Sequence, residues 1–264
     1  MSIWTEAAEI PLTGGDVTDG VVRVGRTVRR PTRPSTPSVH ALLRHLEAAG
    51  FDGAPRALGI DESGREILSY IEGEAAVRPL PAYAVTDAAL VALARLLRDY
   101  HDAVADFRPV GAIWEDGSNC GPVEVIGHCD ITPENVIFRS GVPVAFIDFD
   151  LARPTSRLFD IVTTLRHWAP IADPLDRDPL QRTVKVGPRL RLFCDAYGLS
   201  PADRLRLLPM ARTRFDQSYL STRHKAETLG GGWATLWANG VGQRIRRAAA
   251  WLDANEDLLH EHLI

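Results

Sequence analysis

The sequence predicts an α+β chain of two unequal lobes, a small antiparallel sheet with one helix followed by a larger, mostly helical region. Three observations lead there. Short β-branched runs crowd the first 30 residues, and one helix and one further strand follow before residue 72. From Asp87 onward, apolar residues recur at helical spacing. Between these regimes Glu72-Gly73-Glu74 breaks the chain, so residues 1–72 read as one lobe and 73–264 as the other. At 264 residues and 45% apolar, the chain can bury a substantial core.

In chain order, Val21–Val24 and Thr27–Arg29 flank Gly25-Arg26, a tight hairpin turn preceded by the Gly14-Gly15 turn. Thr36 caps a helix with Pro37 at its first position. Leu42, Leu43 and Leu46 form its apolar face, and Gly50 stands where a helix C-terminus favours glycine. Arg65–Ile71 (REILSYI) reads as a strand. Behind Thr86, Asp87–Val104 carries Leu90, Leu93, Leu97, Tyr100 and Val104 on one helical face. From Phe159 to the end, helical periodicity is broken by prolines and by Gly230-Gly231-Gly232.

Composition removes several classes of function. A net charge of -4 supplies no basic field for non-specific nucleic-acid binding. Three cysteines, Cys120, Cys129 and Cys194, form no CxxC pair, which disfavours zinc ribbons and disulfide frameworks and fits a reducing cytosol. No run of about 18 apolar residues offers a membrane span, and the N-terminus does not read as a signal peptide. The expected location is cytoplasmic, with no nucleic-acid or membrane partner.

The segment VIGHCDITPENVIFRSGVPVAFIDFD, residues 125–150, is where polar residues interrupt apolar strands in a way packing does not explain. His128, Asp130 and Asn135 fall in a loop, and Asp148 and Asp150 follow a strand. Val136–Arg139 and Val142–Ile147 flank Ser140-Gly141, a two-residue hairpin turn, which predicts Arg139 opposite Val142 and Asn135 opposite Phe146. That register brings Asn135 and Asp148 to the same end beside Asp130. Such an oxygen-rich site suits Mg²⁺ carrying a nucleotide phosphate.

The pattern HxDxxxxN, an apolar strand and IDFD resembles the catalytic loop and metal site of aminoglycoside phosphotransferases and choline kinases, relatives of protein kinases. The resemblance implies a protein kinase-like two-lobe fold, with ATP or GTP and Mg²⁺ as cofactors and a small hydroxylated molecule as acceptor. It implies Asp130 as the base that takes the acceptor's proton, and Asn135 and Asp148 as Mg²⁺ ligands. Asp150 stands where protein kinases have the glycine of DFG, and either touches the metal or acceptor or is a solvated turn residue. His128 reads as a loop-packing residue. Asp160, in LFDIVTTL, resembles the helix carboxylate that braces the catalytic loop from beneath.

Two departures stand out. Kinases hold the α and β phosphates with a strand lysine paired to a glutamate on the next helix. Here only Lys185 and Lys225 are lysines, so the place in TVRRP falls to Arg29 or Arg30, with Arg29 taken as the phosphate contact. Val39 or His40 stands where the helix glutamate is expected. Arginine grips phosphate as a fork, so the exchange is not conservative. Cys129 replaces the glycine usual between the His and the Asp, which is tolerated if its φ is negative. By chain order, backbone groups near Ser69, Tyr70 and Ile71 are expected to meet the adenine.

The resemblance implies an acceptor pocket built from the helical lobe. Asp173, Asp176 and Asp178 suit ammonium groups or are a solvated loop. Arg244, Arg246 and Arg247 suit an anionic or neutral acceptor or form polar helix faces. Trp233 and Trp237 line a pocket or pack in the core. The main reading is a small-molecule O-phosphotransferase. Its alternative, favoured by the missing lysine and glutamate, is a non-catalytic kinase-like binding or immunity protein. A hydrolytic metal centre is disfavoured because only one histidine lies in the cluster.

Overall fold

The computed structural model describes residues 8–12, 20–114 and 122–264. The turn at Gly14-Gly15 and Cys120 lie outside these. The first strands are β1 (Glu9–Pro11), β2 (Val22–Val24) and β3 (Thr27–Pro31), followed by helix α1 (Thr36–Ala48) and strands β4 (Ala57–Ile60) and β5 (Arg65–Ser69). They build an antiparallel sheet in the order β1-β2-β3-β5-β4. Gly25, with φ 58°, turns β2 into β3. Helix α1 buries Val39, Leu42, Leu43 and Leu46, and Gly50 (φ 75°) ends it, as the leucine spacing and the glycine predict.

At Gly73 the chain leaves this sheet. Strand β6 (Glu74–Ala75) pairs instead with β8 (Val136–Arg139), which pairs with β9 (Val142–Phe146). Strand β7 (Val125–Gly127) pairs with β10 (Arg153–Thr155). The helices are α2 (Asp87–Ala103), α3 (Arg157–Trp168), α4 (Val186–Tyr197), α5 (Pro201–Thr228), α6 (Gly231–Ala238), α7 (Val241–Ala254) and α8 (Glu256–His260). Thr86 caps α2 by accepting from the Ala89 N–H. One continuous apolar core joins α1 to α2, α3, α4, α5, α7 and the β8–β9 hairpin. Its largest fully buried side chains include Trp168, Tyr100 and Phe138. No helix among the described residues is long and apolar enough to cross a membrane.

The hairpin departs from its expected register. Arg139 faces Val142, but the pairing slips between Phe138 and Ile137, so Phe146 faces Val136 rather than Asn135. Pro143, which has no N–H for the ladder, sits beside the extra residue Val144, and strand prolines concentrate at such bulges. The slip leaves the functional end intact, because the Ile147 N–H donates to the Asn135 carbonyl at 2.9 Å. Strands β1, β4 and β10 go beyond the sequence reading. Each is three or four residues long, too short for alternation to register.

Gly73 has φ 146°, a conformation L side chains rarely adopt, and a Cβ there would lie 2.5 Å from both the Phe138 carbonyl oxygen and Ile137 Cγ2. Gly73→Ala should therefore lower stability by about 2–4 kcal/mol in urea unfolding, since strain and overpacking act together. A change below about 0.5 kcal/mol would show that the crossover tolerates a side chain.

Candidate active site

The loop after β7 is fixed from below by two helices. Asp160, on the first turn of α3 and fully buried, accepts 2.8 Å hydrogen bonds from the backbone N–H of both His128 and Cys129. His101 on α2 lies 3.1 Å from the same carboxylate, and its other ring nitrogen meets the Tyr197 hydroxyl at 2.8 Å. Burial works to raise the Asp160 pKa, but its hydrogen bond with His101 and the neighbouring charges hold it below the ordinary carboxylate value. The Tyr100 hydroxyl donates to the Ile126 carbonyl at 2.7 Å, and the Trp168 indole donates to that of Ile131 at 2.8 Å. These contacts match the bracing role expected of Asp160.

The brace holds an unfavourable backbone. Cys129 has φ 60°, so the condition under which a cysteine is easily tolerated is not met and it occupies a conformation that glycine would adopt freely. Its thiol is buried and pushed well above the ordinary cysteine value, chiefly by desolvation, which makes it inert rather than nucleophilic. His128 is fully buried. Its Nε2 lies 3.0 Å from the Ile147 carbonyl, and its ring packs 4.5 Å from Phe149. Burial lowers its pKa, so it serves as a neutral packing residue.

Above the brace, Asn135 Nδ2 donates 2.9 Å bonds to the Asp130 backbone carbonyl and to Asp130 Oδ2. Burial, followed by the charge of Asp148, raises the Asp130 pKa to about 7. Asp148 follows the hairpin with φ 62°, a second strained position, and leaves 37% of its side chain exposed. Asp130, Asn135 and Asp148 line one end of a single cavity of about 660 Å³.

The strand arginine is Arg30, not Arg29. Strand alternation sends the two to opposite faces. Arg29 stands opposite Val22 and Ile67, with a buried Nη1 that has no hydrogen-bond partner. Arg30 points to the catalytic loop side, 7% exposed. Its Nε meets Glu66 at 2.5 Å, Nη1 meets Asp148 at 2.9 Å and Nη2 meets Asp150 at 2.7 Å. Burial opposes its charge, but the three carboxylates outweigh that and hold its pKa above the ordinary arginine value. Glu66 is 2% exposed, lies directly across from Arg30 on β5, and also contacts His40 of α1 at 3.0 Å. A glutamate therefore does pair with the strand cation, supplied by a neighbouring strand while His40 fills the helix position. Sequence reading missed Glu66. The usable signal was a charged residue in the buried phase of REILS, where Glu66 and Leu68 alternate inward. Asp150 is neither a solvated turn residue nor free for a metal, since Arg33 also binds it at 3.0 Å.

Among the described residues, no group of three His, Cys, Asp or Glu side chains could hold a metal alone. The donors fit Mg²⁺ in a more limited way. Arg30 engages only Oδ1 of Asp148, and Asn135 donates through its nitrogen, which leaves one carboxylate and one amide oxygen for a cation that brings its other ligands with it. Where the lobes join, the Ser69 and Tyr70 N–H groups already donate to the carbonyls of Arg56 and Arg26, and Tyr70 lies beneath the Arg23 guanidinium at 3.7 Å. Of the three expected adenine contacts, Ile71 alone keeps an N–H without a hydrogen bond among the described residues. None of the three lines the cavity.

The far end of the cavity is built by α3, α5, α6 and α7. Asp173 and Asp178 cap short turns by accepting from Leu175 and Leu180, and Asp178 also accepts from Leu80. Asp176 is gripped by Arg247 at 2.5 and 2.8 Å. Arg244 lines the cavity, whereas Arg246 stacks on Tyr219 at 4.2 Å. Trp233 faces the cavity beneath Lys225, and Trp237 packs on Tyr219.

A family model described as "Phosphotransferase enzyme family" matches residues 112–193, the segment holding Asp130, Asn135 and Asp148. The trifolitoxin immunity protein of Rhizobium leguminosarum bv. trifolii is 41% identical to this chain, over 74% of it and 76% of the relative. Among solved structures, a choline/ethanolamine kinase family protein from Mesorhizobium loti superposes with a TM-score of 0.61 at 15% identity, covering 97% of this chain and 92% of that one. The GDP complex of aminoglycoside 2'-phosphotransferase-IIIa gives 0.58 at 15% identity, covering 99% and 94%. A Plasmodium vivax ethanolamine kinase gives 0.60 at 13% identity, covering 97% and 83%. With the helix-braced loop and the cleft already in view, these likenesses establish that the chain belongs to the phosphotransferase enzyme family and has its protein kinase-like fold.

Proposed function

We propose that this protein is a cytoplasmic O-phosphotransferase that moves the γ-phosphoryl group of ATP or GTP to a hydroxyl of a small molecule. The observation that carries the reading is the meeting of Asp130, Asn135 and Asp148 at one end of the cavity. Asp130 accepts the acceptor's proton and orients its hydroxyl, a role suited to a carboxyl whose pKa of about 7 lies near working pH. Asn135 holds Asp130 through Nδ2 and offers its amide oxygen, with Asp148, to Mg²⁺. A bound Mg²⁺-nucleotide supplies the phosphoryl group and neutralises charge developing on it. Arg30 reaches toward the same place as the usual lysine and is the phosphate contact of this reading, in place of Arg29. Ile71 is its backbone contact for the base.

A second reading has its own observation. All three nitrogens of Arg30 are already engaged, by Glu66, Asp148 and Asp150, so a phosphate would have to share them with three carboxylates. A kinase-like protein that binds its target without transferring phosphate would keep this arrangement. The likeness to an immunity protein supports protection against a toxin in either reading, by modifying it or by sequestering it.

Titration calorimetry with Mg²⁺-ATP and Mg²⁺-GTP separates the two. Binding by the native chain, lost in Asp148→Ala, is expected, together with phosphate transfer to a hydroxylated acceptor that falls about 10²–10⁴-fold in Asp130→Asn. Nucleotide binding without transfer to any of a broad set of alcohols would favour the second reading. No nucleotide binding at millimolar Mg²⁺ would remove the first.

Asp130 also makes stability depend on pH. Its folded pKa of about 7 lies above the unfolded value near 4, so the folded chain holds the proton more tightly. Its contribution is intact below about pH 4 and is lost as pH rises through 7. In EDTA, urea unfolding should show Asp130→Asn gaining roughly 2–4 kcal/mol on the native chain between pH 5 and pH 8. Parallel pH profiles would mean that burial does not raise this carboxyl.

A further inference from the structure

Beyond Asp130, Asn135 and Asp148, most of the charged side chains lining the cavity are cations. Arg78, Arg166, Arg177, Arg214, Arg244 and Lys225 all line it. Against them stand Glu134, held by Arg78 at 3.2 Å, and Asp176, held through both oxygens by Arg247. The two carboxylates that an amine-bearing acceptor would need are therefore already engaged.

Arg166 and Arg244 are different. Among the described residues neither has a carboxylate within ion-pair distance. Arg244 donates only to the Asn239 carbonyl, and Arg166 lies over the Phe215 ring at 5.6 Å. Burial, followed by the like charges of Arg214 and Arg244, depresses the Arg166 pKa to about 9, a large change for a guanidinium. Arg166 and Arg244, half-buried near other cations with no ion pair of their own among the described residues, are repelled by their neighbours and lose hydration. An anion placed between them restores both, and the planar guanidinium fork matches the oxygens of phosphate, sulfonate or carboxylate.

Helix α5 supplies the rest of the wall. Arg214, Gln217, Ser218, Ser221, Thr222 and Lys225 follow helical spacing along one face and all line the cavity. Gln217 Oε1 is buried with no hydrogen-bond partner. That stripe of hydroxyl and amide groups suits a hydroxylated body, with the cationic cluster gripping one charged end and Asp130 facing a hydroxyl at the other.

We propose that the acceptor is an anionic hydroxylated small molecule, whose phosphate, sulfonate or carboxylate group is held by Arg166 and Arg244, with Arg78 and Arg214 around it. The assignment of this ligand as acceptor rests on the phosphotransferase reading, whereas the anion site itself does not.

Calorimetry tests it with three probes: glucose 6-phosphate, glucuronate and the polyamine spermidine. Binding of at least one anionic probe is expected, weakened tenfold or more in both Arg166→Gln and Arg244→Gln and retained in Asp148→Ala. Which probe binds separates phosphate from carboxylate recognition. Both substitutions remove a repelled charge, so thermal unfolding should show each variant at least as stable as the native chain. Spermidine binding in preference to both anions, no anion binding at low salt, or anion affinity unchanged in Arg166→Gln would overturn the proposal. Anion binding without transfer from nucleotide would end the phosphotransferase reading and leave the site standing. Transfer to cationic alcohols without anion binding would do the reverse.

Discussion

The guanidinium of Arg30 is the point on which the cleft depends. One buried side chain reaches Glu66 within its own sheet, Asp148 at the end of the hairpin and Asp150 in the turn beyond. An ammonium presents its donors from a single atom, whereas the fork presents five donors from three nitrogens in one plane. That geometry lets one residue tie the five-stranded sheet to the catalytic segment. It also shows how an arginine can hold the cleft at a strand position where kinases use a lysine. Because Glu66 comes from the strand beside Arg30, this pairing does not require the helix after β3 to hold a fixed position.

The same contacts hold a strained backbone in place. Cys129 and Asp148 both have positive φ, at roughly 1–3 kcal/mol each for residues other than glycine. Asp160 offsets the first by taking two backbone N–H groups, and Arg30 anchors the second through the carboxylate. Both distortions lie within a residue of the groups that would do chemistry. They aim Asp130 and Asp148 at one cavity, an arrangement that relaxed strand geometry would not produce.

Much of this was legible in the sequence, for physical reasons. Helices α1 and α2 carry full apolar faces and Thr86 caps α2 as expected, whereas Thr36 is the first residue of α1 rather than its cap, which is Ser35 with no side-chain cap bond; HxDxxxxN with IDFD fixed the loop, the hairpin and their common end. What escaped depended on long-range pairing. Whether Arg29 or Arg30 faces the cleft is set by the register of β3 against β5, which no local pattern records. The slip at Val144 follows from Pro143, whose missing N–H matters only once its partner strand is known. Glu66 went unread because its burial depends on the phase of its strand. The α5 stripe carries no local signal, because its polar residues meet a cavity wall only together with residues of α3, α6 and α7.

The cavity accordingly has two electrostatic ends. One is rich in carboxylates and is tied to the sheet by Arg30, and the other is rich in arginines on the helices. The most direct test of the account is the unfolding free energy of Arg30→Met, measured in urea at pH 8. If the guanidinium compensates three carboxylates, leaving Glu66 and Asp150 buried without it should cost about 3–5 kcal/mol. A loss below about 0.5 kcal/mol, or a gain, would contradict the claim that this side chain holds the cleft together.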